Sequence, residues 1–183
     1  MSIDRLYLSE EKKETKKNTS NTMKTLYMVR HAKSSWKHDV IDHQRPLKKR
    51  GENDATLVSE KIATEVPAPQ KMISSDAVRA LTTATYFKKT FGISEDDFST
   101  NHDLYDFSGQ NVMKIIKNLD DTLDRVMIVG HNHAFTSVAN MLGNSYIENV
   151  PTCGFVMLEF ETDSWSNITT GKTARTLFPR DLK

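Results

Sequence analysis

The stretch RVMIVGH, residues 125–131, decides the fold class. Residues 126–129 are continuously apolar, as expected for a strand that is buried on both faces of a parallel sheet. A glycine and a histidine follow directly, so an ionisable side chain lies at the carboxyl end of this strand. Ligands of open α/β sheets bind beyond those strand ends. The stretch therefore predicts both a buried strand and a functional site at its end.

Short apolar runs alternate with segments of helical spacing from Met23 onward. This alternation is typical of strand-helix-strand units, so we predict an α/β fold with a mostly parallel sheet. The predicted strands are Thr25–Val29, Lys71–Ser74, Arg125–Val129 and Phe155–Phe160. The helices predicted from the apolar period are Lys48–Glu65, Ala77–Phe91, Gln110–Leu119 and Ala134–Leu142.

Length and charge restrict the class of protein further. The chain of 183 residues holds 25 Lys and Arg against 24 Asp and Glu, which suits one domain of nearly balanced charge. Balanced charge argues against bulk electrostatic binding of nucleic acid or of an acidic membrane surface. The apolar runs reach only four residues, so no membrane span is predicted. The single cysteine, Cys153, forms no intramolecular disulfide, which fits a reducing compartment.

The N-terminal segment 1–22 differs from the rest because residues 10–18 are charged and nearly free of apolar side chains. Its composition predicts a mobile extension, with residues 23–183 as the folded domain. No apolar stretch follows the first positive charges, so we expect no secretory signal and a cytoplasmic protein. Met23 directly precedes the first predicted strand. Whether the extension is genuine or reflects the choice of start site stays open.

Polar side chains gather at the ends of three predicted strands. Arg30 and His31 follow the first strand, Ser75 follows the second with Arg79 on the next helix, and His131 follows the buried third. Guanidinium groups and helix N-termini donate hydrogen bonds that suit phosphate oxygens. Two arginines and two histidines at one edge of the sheet therefore predict a site for a phosphoryl group.

Several segments also resemble the histidine phosphatase superfamily, which is phosphoglycerate mutase-like, in the form typical of SixA-like phosphohistidine phosphatases. In the family's order they are RHAKSSW at 30–36, RPL at 45–47 with Gly51 and Ala55, the segment 75–84 around Arg79, GHN at 130–132, and PRDL at 179–182. The resemblance covers about residues 23–183. It implies a phosphoglycerate mutase-like fold of three α/β/α layers and a histidine phosphatase catalytic domain over that range.

The resemblance also implies a reaction. His31 is the expected nucleophile, which attacks phosphorus and becomes a transient phosphohistidine. Arg30, Arg79 and His131 are expected to bind the three equatorial oxygens of the transferred group, both as catalytic and as substrate-binding residues. Since these side chains neutralise the developing charge, no metal and no cofactor are expected. Water then hydrolyses the phosphohistidine.

Three further residues are candidates for the site. Asp106 is the candidate proton donor to the leaving group, and a helix cap is the alternative for it. Ser34 and Ser35 are candidate substrate-binding residues, and loop anchoring is the alternative for both. The sequence departs from the family motifs where Ala32 replaces a glycine and where Asp76 and His133 replace prolines. Because Asp76 and His133 are ionisable, an unusual pH profile is expected.

The predicted function is hydrolysis of protein phosphohistidine or of phosphomonoesters, so the expected partner is a phosphorylated protein or a small phosphate ester. Phosphohistidine suits a site without a strong acid because imidazole has a pKa of ~6.5. The alternatives are a broad-specificity phosphomonoesterase, a non-catalytic phospho-binding module, a phosphoglycerate mutase and a metal-dependent hydrolase. The last would take ligands from His131 with His133, or from two His-Asp dipeptides at 38–39 and 102–103. We expect His38, His43 and His102 to be surface residues.

Overall fold

A computed structural model of the protein describes residues 22–183. The predicted extension 1–22 lies outside the described residues, apart from Thr22. The strands are β1 (Met23–Arg30), β2 (Lys71–Ser74), β3 (Phe98–Thr100), β4 (Arg125–Gly130), β5 (Phe155–Glu161) and β6 (Lys172–Leu177). The helices are α1 (Lys49–Ala63), α2 (Val78–Phe91), α3 (Gln110–Lys117) and α4 (Ala134–Leu142).

The six strands form one sheet in the order β3-β2-β4-β1-β5-β6. Strands β3, β2, β4 and β1 are parallel to one another, whereas β5 is antiparallel to both β1 and β6. Arg30 pairs with Gly130 and Ser74 with Val129, so the carboxyl ends of β1, β2 and β4 lie side by side. The predicted α/β fold with a mostly parallel sheet is confirmed.

Alternate residues of the central strands enter two separate apolar clusters, one on each face of the sheet. On one face Met28 and Ile128 pack with α3 and α4, and on the other Val29 and Val129 pack with α1 and α2. Both faces are covered, so β1 and β4 are buried along nearly their whole length. The sheet therefore lies between two layers of helices, which is the expected three-layer arrangement. The helices cover the faces of the central strands and leave the strand ends uncovered.

The predicted elements agree with the structure to within a few residues. Strand β2 and helix α4 have the predicted bounds, and α1 ends at Ala63 where the prediction extended to Glu65. Two strands were not predicted. Strand β3 has only three residues, and β6 reads KTARTL, in which a charged or small residue interrupts the apolar pattern. Both lie at the edges of the sheet, where apolar periodicity is weakest.

The loop after β1 is held against the start of α1. The main-chain N–H of Lys48 donates to the carbonyl of Lys33 at 2.8 Å. A Cβ added at Gly51 would lie 2.3 Å from the same carbonyl oxygen, so only glycine permits this close approach. The contact fixes the loop that carries His31. Within residues 22–183, the helices are too short or too polar to cross a bilayer.

Candidate active site

The main chain joins the three strand ends beyond the sheet. The N–H of His31 donates to the carbonyl of Gly130 at 2.9 Å, and the N–H of Ser75 donates to the carbonyl of Val129 at 2.9 Å. These bonds bring the ends of β1, β4 and β2 into one rigid platform. The sequence-predicted residues Arg30, His31, Arg79 and His131 converge on it, as the strand-end argument requires.

His31 is buried, with 7% of its surface exposed. Its Nδ1 lies 2.8 Å from the carbonyl oxygen of Ala32. A carbonyl only accepts, so Nδ1 carries the proton and Nε2 keeps its lone pair. Burial lowers the pKa of His31 to about 3, and the charges of Arg79, Arg30 and Arg45 add to this effect although the bond to Ala32 opposes it. The imidazole is therefore neutral, as a nucleophile must be.

Arg79 lies against this lone pair. Its Nε donates to Nε2 of His31 at 3.3 Å, and the whole side chain is buried. One Nη donates to the main-chain carbonyl of Asp42 at 2.6 Å and the other to the Asp42 carboxylate at 2.9 Å. Arg79 thus links the candidate nucleophile to an acidic residue that the sequence analysis did not identify.

Arg30 approaches from the end of β1. One Nη donates to the carbonyl of Val150 at 2.8 Å, whereas the buried Nε has no partner among the described residues. Burial lowers the pKa of Arg30, and the charge of Arg79 lowers it further. The two guanidinium groups therefore repel each other until an anion is bound, which favours occupancy of the site by an oxyanion.

His131 completes the cluster from the end of β4. The ring is fully buried, its centroid lies 5.1 Å from that of His31, and its Nε2 lies 2.8 Å from the hydroxyl of Ser75. The Nδ1 is buried and has no partner in the described part of the chain. Burial lowers the pKa of His131 to about 2, with His31 and Arg79 contributing. The Ser75 hydroxyl already accepts from the N–H of Ala77 at 3.3 Å, so we assign its proton to the bond with Nε2, which leaves Nδ1–H as a donor for a ligand.

Asp106 accepts hydrogen bonds from the start of α3. Its two oxygens accept five bonds of 2.9–3.2 Å, from the hydroxyl of Ser108 and from the main-chain N–H groups of residues 108, 109, 111 and 112. Asp106 therefore caps the helix. Burial would raise the pKa of Asp106, but these bonds lower it below its ordinary value. These contacts fit the helix-cap alternative, and the role of Asp106 as a proton donor stays a prediction.

Ser34 and Ser35 both take part in loop contacts. The hydroxyl of Ser34 accepts from Arg45 Nη1 at 2.9 Å, and that of Ser35 accepts from the N–H of Lys37 at 3.1 Å. The anchoring alternative accounts for both contacts, and a contact with substrate stays a prediction. The fully buried Cys153 has a thiol whose pKa is raised by burial, so it does not act as a nucleophile.

Asp42 and Tyr105 are the main site residues that sequence reasoning missed. The Tyr105 hydroxyl donates to the Asp42 carboxylate at 2.5 Å. Burial alone would raise the pKa of Asp42, but the bond from Tyr105 and the charge of Arg79 lower it to about 2. Asp42 begins a 3₁₀ turn, Asp42–Gln44, in a loop with no apolar period. The only available signal was its position three residues before Arg45, which it also binds at 2.9 Å.

Comparison with known proteins identifies the class to which this fold and this site correspond. Residues 26–109 match the histidine phosphatase superfamily, branch 1. An uncharacterised protein of Mycobacterium leprae is 33% identical over 143 residues, which cover 71% of this chain and 86% of that protein. The chain belongs to the histidine phosphatase superfamily.

Two solved structures have the same fold. A proposed phosphohistidine phosphatase SixA from Agrobacterium tumefaciens matches with a TM-score of 0.71 at 22% identity, covering 84% of this chain and 97% of that one. The protein histidine phosphatase SixA in complex with tungstate matches with a TM-score of 0.69 at 14% identity, covering 87% and 99%. At identities this low, the two structural matches establish the fold alone, which is SixA-like. Family membership and fold together support phosphatase activity.

Proposed function

We propose that the domain 23–183 is a metal-independent phosphatase that hydrolyses phosphohistidine in a protein substrate. The observation that carries the choice of substrate is the hydrogen bonding of the two carboxylates near the site: Asp42 accepts from Arg79 and Tyr105, and Asp106 accepts from the start of α3. The pKa of Asp42 is lowered to about 2 and that of Asp106 is also lowered, so neither holds a proton near neutral pH. A substrate whose leaving group needs no strong acid fits such a site.

The first step is attack by His31. Its Nε2 lone pair forms a bond to phosphorus while the phosphorus–nitrogen bond of the substrate breaks, and the proton on Nδ1 stays bonded to the Ala32 carbonyl. Arg30 and Arg79 provide two positive charges, and His131 provides its Nδ1–H, for the three equatorial oxygens. Charge that develops there meets donors already in place, and this preorganisation supplies most of the rate enhancement.

The leaving group explains why a proton donor is dispensable. A phosphohistidine ring protonated on its second nitrogen departs as neutral imidazole, whose conjugate acid has a pKa of ~6.5. An alkoxide from a phosphomonoester is far more basic and needs a proton during bond cleavage. In the second step water attacks the phosphorus bound to His31, and the neutral His31 imidazole leaves in the same way. Phosphate is released and the free enzyme is regenerated.

Exposed apolar side chains near the site support a protein substrate. Trp36 is 74% exposed with its ring 3.5 Å from the Arg45 guanidinium, and Ile41 is 68% exposed beside Asp42. Phe107, which is 48% exposed, contacts the His131 ring at a centroid distance of 5.5 Å. Apolar groups around a charged pocket suit the surface of another folded protein more than a small sugar phosphate. A cytoplasmic location is part of the proposal.

The competing functions differ in measurable ways. A broad-specificity phosphomonoesterase of the same superfamily would cleave small esters as fast as phosphohistidine. A phospho-binding module without turnover would bind vanadate and release no phosphate, and a phosphoglycerate mutase would retain the phosphoenzyme for transfer to a second substrate. A metal-dependent hydrolase would lose activity in excess chelator.

The decisive experiment incubates the full chain, in chelator, with a phosphohistidine protein, a phosphoserine protein and glycerol phosphate. We expect phosphate release from the first at a rate at least about tenfold above the other two, because their alkoxide leaving groups are far more basic than imidazole. Labelled phosphate trapped on the enzyme should be acid-labile and alkali-stable, and absent from His31→Ala. A label that persists in that variant contradicts the nucleophile assignment. Equal turnover of all three substrates contradicts the substrate assignment.

A further inference from the structure

A second cluster of ionisable side chains lies beside the catalytic residues and takes no part in the proposed reaction. It consists of His43, Asp76 and His102, which we call the rim cluster. His43 Nε2 lies 2.8 Å from Oδ1 of Asp76, and His102 Nδ1 lies 2.8 Å from Oδ2. One ligand atom from each of the three residues can be chosen so that all lie within 4.8 Å of one another.

Three separate segments of chain build the rim cluster. His43 belongs to the 3₁₀ turn Asp42–Gln44, Asp76 lies between β2 and α2, and His102 begins the 3₁₀ turn His102–Leu104 after β3. The parallel pairing of β2 with β3 brings the last two segments together. Both histidines were expected at the surface, and their contact with Asp76 was not predicted, because they are 33 and 26 positions from it in the chain.

From this geometry we infer that the rim cluster is a binding site for one first-row divalent transition metal ion, with Zn²⁺ as the ion that suits it best. Two imidazoles and one carboxylate are the donor set of many open zinc sites, whereas Mg²⁺ and Ca²⁺ prefer oxygen donors alone. Zinc bonds of about 2.0–2.2 Å need ligand atoms roughly 3–3.5 Å apart. The contacts of 2.8 Å within the rim cluster and the 4.8 Å limit for its three chosen ligand atoms lie on either side of that range.

Exposure leaves the ion room to enter and to keep a water ligand. The side chains of His43 and Asp76 are 29% and 34% exposed, and that of His102 is 71% exposed. A closed structural site would need a fourth protein ligand, and this cluster offers three with one open side. When the metal binds Nε2 of His43 and Nδ1 of His102, each neutral imidazole carries its one proton on the other ring nitrogen, and Asp76 binds as a carboxylate.

The rim cluster is separate from the catalytic pocket but adjoins it through Tyr105. The centroid of the Tyr105 ring lies 5.1 Å from that of the His43 ring and 5.2 Å from that of the His131 ring. The ion would therefore bind outside the group of donors around His31. Binding to the rim cluster is a property of the folded chain that does not depend on the proposed hydrolysis.

The test is a titration of the chelator-treated full chain with Zn²⁺ alone, followed by calorimetry, and with Co²⁺, followed by visible absorption. We expect one ion per chain and the absorption bands of cobalt with nitrogen and oxygen ligands. His102→Ala and Asp76→Asn should each weaken binding by at least about tenfold, since even residues that only orient metal ligands commonly contribute that much. His102 is mostly exposed, so its removal leaves the fold intact, and circular dichroism checks this.

Two matched variants identify the place of binding. His38→Ala removes an exposed histidine outside the rim cluster and should leave the affinity unchanged. His31→Gln removes the buried histidine of the pocket and should also leave it unchanged. Loss of zinc binding in His31→Gln with wild-type binding in His102→Ala would place the ion in the pocket and overturn the inference. Wild-type affinity in both His102→Ala and Asp76→Asn would overturn it as well.

Discussion

The guanidinium of Arg79 holds Asp42 by two contacts, one Nη on the main-chain carbonyl at 2.6 Å and the other on the carboxylate at 2.9 Å. The N–H at Nε faces the lone pair of His31. Arg79 is 1% exposed, so water does not compete for these donors. A phosphoryl oxygen that binds Arg79 must therefore share it with, or displace, the Asp42 carboxylate.

We predict that Asp42→Asn increases the affinity for phosphate and vanadate. The amide still accepts from Arg79, but the negative charge that repels an oxyanion is gone. Because Asp42 is partly exposed, solvent screens the repulsion, and a gain of about fivefold is expected. The inhibition constant of vanadate measures it. Asp163→Asn, which removes an exposed carboxylate near the end of β5, is the control and should leave the constant unchanged; weaker binding by Asp42→Asn would contradict the prediction.

Arg79→Ala should lower kcat by up to ~10³-fold while the fold is retained, by analogy with other arginines that stabilise phosphoryl transfer. Arg79→Lys should recover little of this loss, because one ammonium cannot contact His31 and two sites on Asp42 together. Steady-state kinetics with phosphohistidine protein measures the effect, and near-ultraviolet circular dichroism checks packing. Activity of Arg79→Ala within a few-fold of wild type would show that the guanidinium does not contact the transferred group.

The strand ends were predictable from sequence because a buried parallel strand has an unmistakable pattern and the next residue must lie at the sheet edge. Arg30, His31 and His131 were identified in this way, and Arg79 from its place in the opening turn of α2. Asp42 was not, since its position depends on how the loop between β1 and α1 folds back over the site. No local period encodes that path.

Asp106 shows a different limit of sequence reasoning. A carboxylate near a helix start is compatible with capping and with catalysis, and only the hydrogen bonds decide between them. The rim cluster shows a third limit, because its members come together through strand pairing between β2 and β3. Strand β3 has three residues and no apolar pattern that would predict it.

The capping role of Asp106 predicts that its removal affects stability more than catalysis. Asp106→Ala leaves several N–H groups of the α3 terminus without an acceptor, and a lost cap costs about 1–2 kcal/mol of unfolding free energy. Urea denaturation measures this loss. Turnover should fall by less than about tenfold, well below the loss of roughly 10²–10⁴ that is typical when a general acid is removed. A roughly hundredfold or larger loss of turnover with unchanged stability would instead assign Asp106 as the proton donor.

The state of the His31 imidazole can be observed directly. Because its pKa is lowered to about 3, mainly by burial, the ring should stay neutral at pH 5, with the proton on Nδ1 and none on Nε2. Long-range proton–nitrogen NMR distinguishes the two nitrogens and checks the prediction. Spectra of His38→Ala identify the signals of an exposed ring for comparison. A protonated Nε2 at pH 5 would contradict the prediction.

Two buried neutral histidines also make the fold sensitive to acid. The pKa values of His31 and His131 are lowered to about 3 and about 2, whereas both are near 6.5 in the unfolded chain. Below pH 6.5 the unfolded chain therefore binds more protons than the folded one, so stability falls as the pH falls. Each histidine should remove roughly 2 kcal/mol of unfolding free energy between pH 7 and pH 5.

Urea denaturation at the two pH values measures this loss of unfolding free energy. The loss should shrink by about half in His131→Gln. It should stay as in wild type in His133→Gln, which changes an exposed neighbour. The lowered pKa of Asp42 does not contribute in this range, because its carboxyl is ionised in both states above pH 5. Equal stability of the wild type at pH 5 and pH 7 would show that the buried imidazoles accept protons in the folded chain.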